Sequence, residues 1–166
     1  LRQTGRFNRA LQMYRQFLGD FPQHPEARAA RYRVGLCLRA LAEETKGKDK
    51  SQNPNLEEAY RVFQEVARES ENDPVYYKNA LCLAWTCAID LGRFDEAERY
   101  CETIRQRFEL SHLLASVGMD TLQNLLKQYL ERARSPKLLD NEPERAIELA
   151  MTGAELAAYL RQKDQI

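Results

Sequence analysis

A short motif that occurs twice constrains the fold of this 166-residue chain more than any other feature. Residues 5–10 read Gly-Arg-Phe-Asn-Arg-Ala and residues 92–97 read Gly-Arg-Phe-Asp-Glu-Ala, so four residue types recur in the same order and at the same spacing. Residues 56–59 repeat the second half of the motif, and residues 143–146 repeat it more weakly. Internal repetition over tens of residues predicts stacked copies of one structural unit.

The pattern of apolar residues predicts that these units are helical. Between the few glycines and prolines, apolar side chains recur at spacings of three and four, which is the signature of α-helices with one buried side. Two polar connections, 46–55 and 135–142, interrupt the series. We therefore expect an all-α fold of about seven helices, over residues 6–21, 26–45, 56–70, 74–91, 94–108, 112–134 and 143–163.

The spacing of the copies indicates a family. The alanine of each copy lies at position 10, 59, 97 or 146, which gives separations of 49, 38 and 49 residues. A tetratricopeptide unit has about 34 residues, and each longer separation contains one of the polar connections, so insertions within a unit account for the excess. With Val34-Gly35 and Ala84-Trp85 at the Leu-Gly pair of the family pattern, the chain resembles the tetratricopeptide repeat family. Trp85 departs from the small residue expected there.

This resemblance implies a fold and a domain organisation. The expected fold is a right-handed superhelix of antiparallel helical hairpins, an α-solenoid, in one domain over residues 1–166. The Phe21-Pro22-x-x-Pro25 sequence is most similar to the bacterial subgroup that includes the lipoprotein of the outer-membrane β-barrel assembly machinery and the periplasmic protein of the Tol–Pal system. The repeat units would span about residues 5–24 (half a unit), 25–72, 73–110 and 111–163.

The first predicted helix matches the second helix of a hairpin whose first helix is missing from the sequence. One explanation is that the chain is a fragment of a longer protein. The other is that a neighbour covers the apolar stripe of this helix, which would then be an assembly edge formed by Phe7, Leu11 and Tyr14.

The sequence contains no recognisable catalytic or metal-binding pattern. His24 and His112 have no catalytic partner nearby, and no glycine-rich phosphate loop or paired metal motif occurs. We therefore expect no enzyme activity and no cofactor. Unpaired cysteines favour the cytoplasm, whereas the bacterial subgroup implies the periplasm. The four cysteines lie among small and apolar neighbours, which predicts a role in packing for Cys37, Cys82, Cys87 and Cys101.

A binding function follows from the expected architecture. The first helix of each stacked hairpin lines the concave side of a superhelix, and arginine and aromatic side chains are the usual anchors of protein interfaces. The leading hypothesis is a non-catalytic protein–protein interaction scaffold that binds another protein or a peptide. The predicted groove comprises Arg28, Tyr32, Arg39, Tyr76, Asn79 and Thr86. The alternative for the two tyrosines is packing between helices.

Two other functions remain open at the level of sequence. Residues 1–42 contain eight arginines against Asp20 and Glu26, and this excess of basic residues would suit an RNA- or nucleotide-associated repeat protein. The formal net charge of zero for the whole chain opposes that hypothesis. Self-assembly through the first helix would instead give a homo-oligomer. Salt dependence distinguishes nucleic-acid binding, because phosphate contacts weaken steeply as the salt concentration rises.

Overall fold

The computed structural model describes residues 2–44, 50–108 and 119–164. These residues form eight α-helices and one 3₁₀ helix and contain no strand, which confirms the predicted all-helical class. The chain divides into two compact units, residues 1–108 and 109–166. Unit 1 contains α1 (Arg2–Asp20), α2 (Ala27–Glu43), the 3₁₀ helix (Lys50–Gln52), α3 (Pro54–Glu69), α4 (Pro74–Asp90) and α5 (Phe94–Arg107). Unit 2 contains α6 (Met119–Ala133), α7 (Pro136–Asn141) and α8 (Pro143–Asp164).

Each α-helix of unit 1 packs on the next one along the chain: α1 on α2, α2 on α3, α3 on α4 and α4 on α5. Residues 70–73 join α3 to α4, and residues 91–93 join α4 to α5. Two helices that pack directly and are joined by so short a connection form an antiparallel helical hairpin. As a result, α3 lies against both α2 and α4.

Capping side chains explain where α3 and α4 begin. The side-chain oxygen of Asn53 accepts a hydrogen bond from the backbone N–H of Asn55 at 3.0 Å. The carboxylate of Asp73 accepts one from the backbone N–H of Tyr76 at 3.3 Å. Each cap is followed by a proline at the first helical position, where the missing N–H would have had no partner within the helix.

The turn between α4 and α5 requires a glycine. Gly92 has a φ of 72°, in the left-handed region that residues with a side chain avoid. Its N–H donates to the carbonyl of Ile89 at 3.0 Å, and the N–H of Arg93 donates to the carbonyl of Ala88 at 2.8 Å, which are the two bonds of a Schellman motif. Gly5, in the first copy of the repeated motif, lies within α1 and makes no such turn.

The core of unit 1 depends on close contact between α2 and α3. Phe63 of α3 and Trp85 of α4 are fully buried. A Cβ added at Gly35 of α2 would lie 2.6 Å from Cε1 of the Phe63 ring, so the two helices approach each other only because residue 35 has no side chain. Ala59 and Ala97, two alanines of the repeated pattern, are also buried, as expected for positions of close helix packing.

In unit 2, α6 packs on α8, and α7 contacts both. A Cβ added at Gly153 of α8 would lie 3.4 Å from Cδ2 of Leu130 of α6, in ordinary van der Waals contact. Residues 109–118 lie outside the described residues, so only the later part of the predicted helix 112–134 can be compared. Among the described residues of this unit, the buried apolar side chains include Leu122, Leu125, Tyr129, Ala133, Ala146, Leu149, Leu156 and Leu160.

The prediction of a polar connection over residues 135–142 is wrong, because Pro136–Asn141 forms the short helix α7. The carbonyl of Ser135 accepts hydrogen bonds from the N–H of both Leu138 and Leu139 at 3.0 Å. Proline at the first position of α7 has the φ that a helix needs. The polar composition of this segment therefore reflects exposure and not the absence of a helix.

The four cysteines are buried thiols. Burial raises the pKa of the Cys82 thiol to about 11 and that of the Cys87 thiol to about 12, from the ordinary value of 9.0. Both thiols therefore stay protonated at mildly alkaline pH, and the thiolate, which is the reactive form, is scarce.

We expect a colorimetric thiol reagent to modify the folded protein far more slowly than the protein unfolded in guanidinium. Equal rates for the two states would contradict this burial.

Candidate functional site

Three of the six predicted groove residues form one cluster between α2 and α4. Nη2 of Arg28 lies 2.8 Å from Oδ2 of Asp73, and its guanidinium lies over the ring of Tyr76, 5.0 Å from the ring centroid. The rings of Tyr32 and Tyr76 meet edge to face, with their centroids 5.6 Å apart. Arg28, Tyr32 and Tyr76 therefore contact one another as a connected group.

These contacts also show how α2 and α4 are oriented. Arg28 and Tyr32 are about one helical turn apart on α2. Asp73, the partner of Arg28, and Tyr76, the partner of Tyr32, are also about one turn apart at the start of α4. The two helices therefore run side by side in the same direction, with α3 packed against both. This is the arrangement expected for the first helices of two successive hairpins.

The two tyrosines pack between helices, which is the alternative that the sequence left open. The ring of Tyr32 also contacts the ring of Phe63, with centroids 6.0 Å apart. Burial raises the pKa of Tyr32. Both Tyr32 and Tyr76 are only half-buried, so each still presents part of its ring to solvent.

The other three predicted residues do not join this cluster. Nε of Arg39 lies 3.5 Å from Oε1 of Glu43, which follows Arg39 by one turn of α2. Asn79 is exposed on α4. Thr86 differs from the expectation, because it is only 2% exposed and its hydroxyl donates to the carbonyl of Leu83 at 3.0 Å. The middle of α4 is covered by other parts of the unit on most sides, so the side chain of Thr86 is not accessible to a partner.

Two exposed apolar residues beside the cluster were missed from the sequence. Leu36 of α2 is 39% exposed, and Val75 of α4 is 67% exposed. Arg33 lies three residues from Leu36, and Asn79 lies four residues from Val75, so each pair lies on one side of its helix. We call Arg33, Leu36, Val75, Tyr76 and Asn79 the α2–α4 surface. The sequence signal for the exposure of Leu36 is that it lies outside the stripe of apolar residues that α2 buries.

The predicted assembly edge is largely covered within unit 1. Leu11 is only 6% exposed, and Phe7 and Tyr14 are half-buried, since α1 packs on α2. The hydroxyl of Tyr14 accepts a hydrogen bond from Nη1 of Arg33 at 3.1 Å. The exposed apolar side chain of α1 is instead Met13, which is 63% exposed.

Most of the basic residues in the first 42 residues are bonded to other side chains. Arg33 bonds to Tyr14, and four further arginines form ion pairs with carboxylates. The basic excess seen in the sequence is therefore largely compensated by acidic residues, most of them distant in sequence. The four ion pairs are Arg15–Glu58, Arg28–Asp73, Arg31–Glu69 and Arg39–Glu43.

A cavity of about 460 Å³ lies among α3, α4 and α5, and sequence reasoning missed it. Four hydrogen bonds or ion pairs join α3 and Glu71 of the turn after it to α5 and its N-cap residue Arg93, and the residue numbers of each pair differ by 36. This constant difference means that α3 and α5 run side by side in the same direction. The four pairs are Glu57–Arg93, Tyr60–Glu96, Gln64–Tyr100 and Glu71–Arg107.

Tyr60 forms one wall of this cavity. Its hydroxyl donates a hydrogen bond to the Glu96 carboxylate, and its ring meets the ring of Tyr100 edge to face, with centroids 6.2 Å apart. Burial, aided by the Glu96 bond, raises the pKa of Tyr60 far above its usual range, so the hydroxyl stays protonated. The wall is thus a neutral aromatic surface.

Within the described ranges, no group of three or more His, Cys, Asp or Glu residues could hold a metal ion. Nδ1 of His24 accepts a hydrogen bond from the backbone N–H of Glu26 at 3.1 Å, and its ring contacts Phe17. His24 is therefore part of the turn between α1 and α2. His112 lies outside the described residues. Over those same ranges, none of the helices has the length and apolar character needed to cross a bilayer.

No protein-family model matches the chain, and comparisons with curated proteins and with solved structures find no match. Any functional proposal therefore rests on the residues themselves.

Proposed function

We propose that this chain is a non-catalytic, tetratricopeptide-like protein-binding scaffold that binds a partner peptide on the α2–α4 surface. The observation that carries the proposal is the side-by-side, same-direction arrangement of α2 and α4, which the Arg28–Asp73 ion pair and the Tyr32–Tyr76 contact stabilise. In a right-handed superhelix of hairpins, helices in this position line the concave side, where partners bind.

The chemistry of the α2–α4 surface suits a peptide. Leu36 and Val75 supply exposed apolar area, and the exposed amide of Asn79 supplies a hydrogen-bond donor and an acceptor beside it. Interfaces combine an apolar centre with polar groups around it, and tyrosine and arginine are common anchors. Because Tyr76 is already packed on Tyr32 and Arg28, little conformational freedom of this side chain is lost on binding.

The two alternative functions have less support. The arginines that motivated nucleic-acid binding are mostly paired with carboxylates or with Tyr14, which leaves few free to contact phosphates. The apolar stripe that motivated self-assembly packs on α2 within the same unit, with Leu11 buried.

Selection from a random peptide library on the immobilised chain tests the proposal. Leu36→Glu places a charge in the apolar centre of the α2–α4 surface. The affinity of the selected peptides should then fall about tenfold or more, which corresponds to the loss of one buried apolar side chain. The matched control is Met13→Glu, which introduces the same charge at an exposed apolar residue of α1 and should leave the affinity unchanged.

Two results of this experiment would contradict the proposal. One is that no peptide is enriched on the wild-type chain. The other is that Leu36→Glu and Met13→Glu weaken binding equally, which would place the binding surface elsewhere or attribute the loss to net charge.

A further inference from the structure

The cavity among α3, α4 and α5 lies outside the α2–α4 surface and has the size of a ligand site. Its volume of about 460 Å³ falls within the range of pockets that bind small ligands or side chains. Apolar and aromatic groups from all three helices line it, namely Ala67 of α3, Tyr77 and Leu81 of α4, and Tyr100 of α5. An apolar or aromatic side chain that enters the cavity would therefore find apolar walls on several sides.

Two basic side chains that line the cavity, one from α3 and one from α5, are available for bonding. Arg68 of α3 and Arg99 of α5 both line it and are exposed, and neither forms an ion pair within the part of the chain that the structure describes. The acidic residues of the lining are bonded, Glu71 to Arg107 at 3.7 Å and Glu96 to the Tyr60 hydroxyl. The Tyr60 hydroxyl is neutral, so Glu96 keeps its negative charge. Three arginines, Arg68, Arg99 and Arg107, therefore face two carboxylates at the cavity, which leaves an excess of one positive charge.

We propose that this cavity binds an acidic segment of a partner protein, with one aromatic or branched aliphatic side chain inserted against Tyr77 and Leu81. Carboxylates that flank the inserted side chain pair with Arg68 and Arg99. A guanidinium matches a carboxylate with two parallel N–H···O bonds, which gives both energy and orientation. The exposure of both arginines lets a peptide chain leave the cavity on either side. This site does not depend on the α2–α4 surface.

An array of short synthetic peptides tests the inference. Each peptide carries one central Phe, Trp or Leu, flanked by Glu and Asp, by Gly and Ser, or by Lys and Arg. We expect the folded chain to bind the acid-flanked peptides, to bind the neutral set more weakly and not to bind the basic set. Raising the salt concentration should weaken the acidic set, because the ion pairs are close to solvent. Equal binding of the acidic and basic sets would overturn the proposal.

A pair of charge-reversal variants locates the site. Arg68→Glu with Arg99→Glu should weaken the acid-flanked peptides about tenfold or more, since each lost charge-assisted bond costs affinity. The matched control is Arg6→Glu with Arg9→Glu, which makes the same change at exposed positions of α1 and should leave binding unchanged. An equal loss in both double variants would show that net charge alone is responsible and would overturn the proposal.

A third variant tests the cavity without changing the charge. Thr103 of α5 lines the cavity and is half-buried, so Thr103→Phe should fill part of the space and reduce binding of peptides with a Phe or Trp anchor. Leu36→Glu should leave that binding intact, so failure of this site and failure of the α2–α4 surface are distinguishable. Unchanged binding to Thr103→Phe would contradict insertion of the anchor.

Discussion

Phe63→Ala is expected to lower the free energy of unfolding of unit 1 by about 3–5 kcal/mol, the usual cost of removing a buried aromatic side chain. Phe63 is fully buried in α3, and its ring contacts both Gly35 and Tyr32 of α2. Removal of the ring leaves a cavity at the contact of α2 with α3. Trp85 is the single tryptophan and is fully buried in unit 1, so its fluorescence during denaturant titration reports this unfolding.

Phe21→Ala is the matched control for this prediction. Phe21 lies after α1 and is 55% exposed, so the same substitution should change the free energy of unfolding by no more than about 0.5 kcal/mol. If Phe63→Ala cost as little as Phe21→Ala, the described packing of α3 on α2 would be incorrect.

Gly35→Ala is expected to destabilise unit 1 although alanine is the better helix former. The added Cβ would lie 2.6 Å from Cε1 and 2.8 Å from Cζ of the Phe63 ring, which is rigid and enclosed. Overpacking of this kind costs about 1–3 kcal/mol, against a gain of about 1 kcal/mol in helix propensity. We expect a net loss of up to about 2 kcal/mol in the free energy of unfolding, measured by Trp85 fluorescence.

Two comparisons give this prediction its specificity. Gly19→Ala, at a helical position of α1 with no atom within 4 Å of the added Cβ, should stabilise the chain by up to about 1 kcal/mol. In the Phe63→Ala background the clash is absent, so Gly35→Ala should be neutral or stabilising there. A Gly35→Ala variant that is as stable as Gly19→Ala would show that α2 and α3 do not approach as described.

The local features of the fold could be predicted from the sequence because they depend on neighbouring residues. Helical spacing of apolar side chains gave the helices of unit 1 to within a few residues. Asp73 before Pro74 is a local signal for the start of α4, and Gly92 is a local signal for the turn after it. Each of these features depends on hydrogen bonds between residues that are only a few positions apart in the sequence.

Other features depended on packing between distant residues and could not be predicted. The motif at Gly5 matches the motif at Gly92, yet Gly5 lies within α1 whereas Gly92 has the positive φ of a turn, so the motif alone does not specify a turn. Thr86 lies on α4 at a position that other helices cover, and helix periodicity alone could not reveal this. Polar composition over 135–142 concealed the short helix α7.

The candidate sites could be predicted only in part. Arginine and tyrosine residues of α2 and α4 were identified by their chemistry, and three of them do form a cluster. Their partner Asp73 is 45 positions from Arg28, and only the packing of the hairpins specifies that pairing. The cavity among α3, α4 and α5 needs the mutual register of three helices, which no local pattern encodes.

Hydrogen exchange, with the chain measured alone and saturated with a peptide from the library selection, shows whether the peptide binds on the α2–α4 surface. We expect slower exchange of backbone amides within residues 27–43 and 74–90, where α2 and α4 would bind the peptide. Protection confined to residues 119–164, or to α3 and α5 without α2, would contradict binding on the α2–α4 surface.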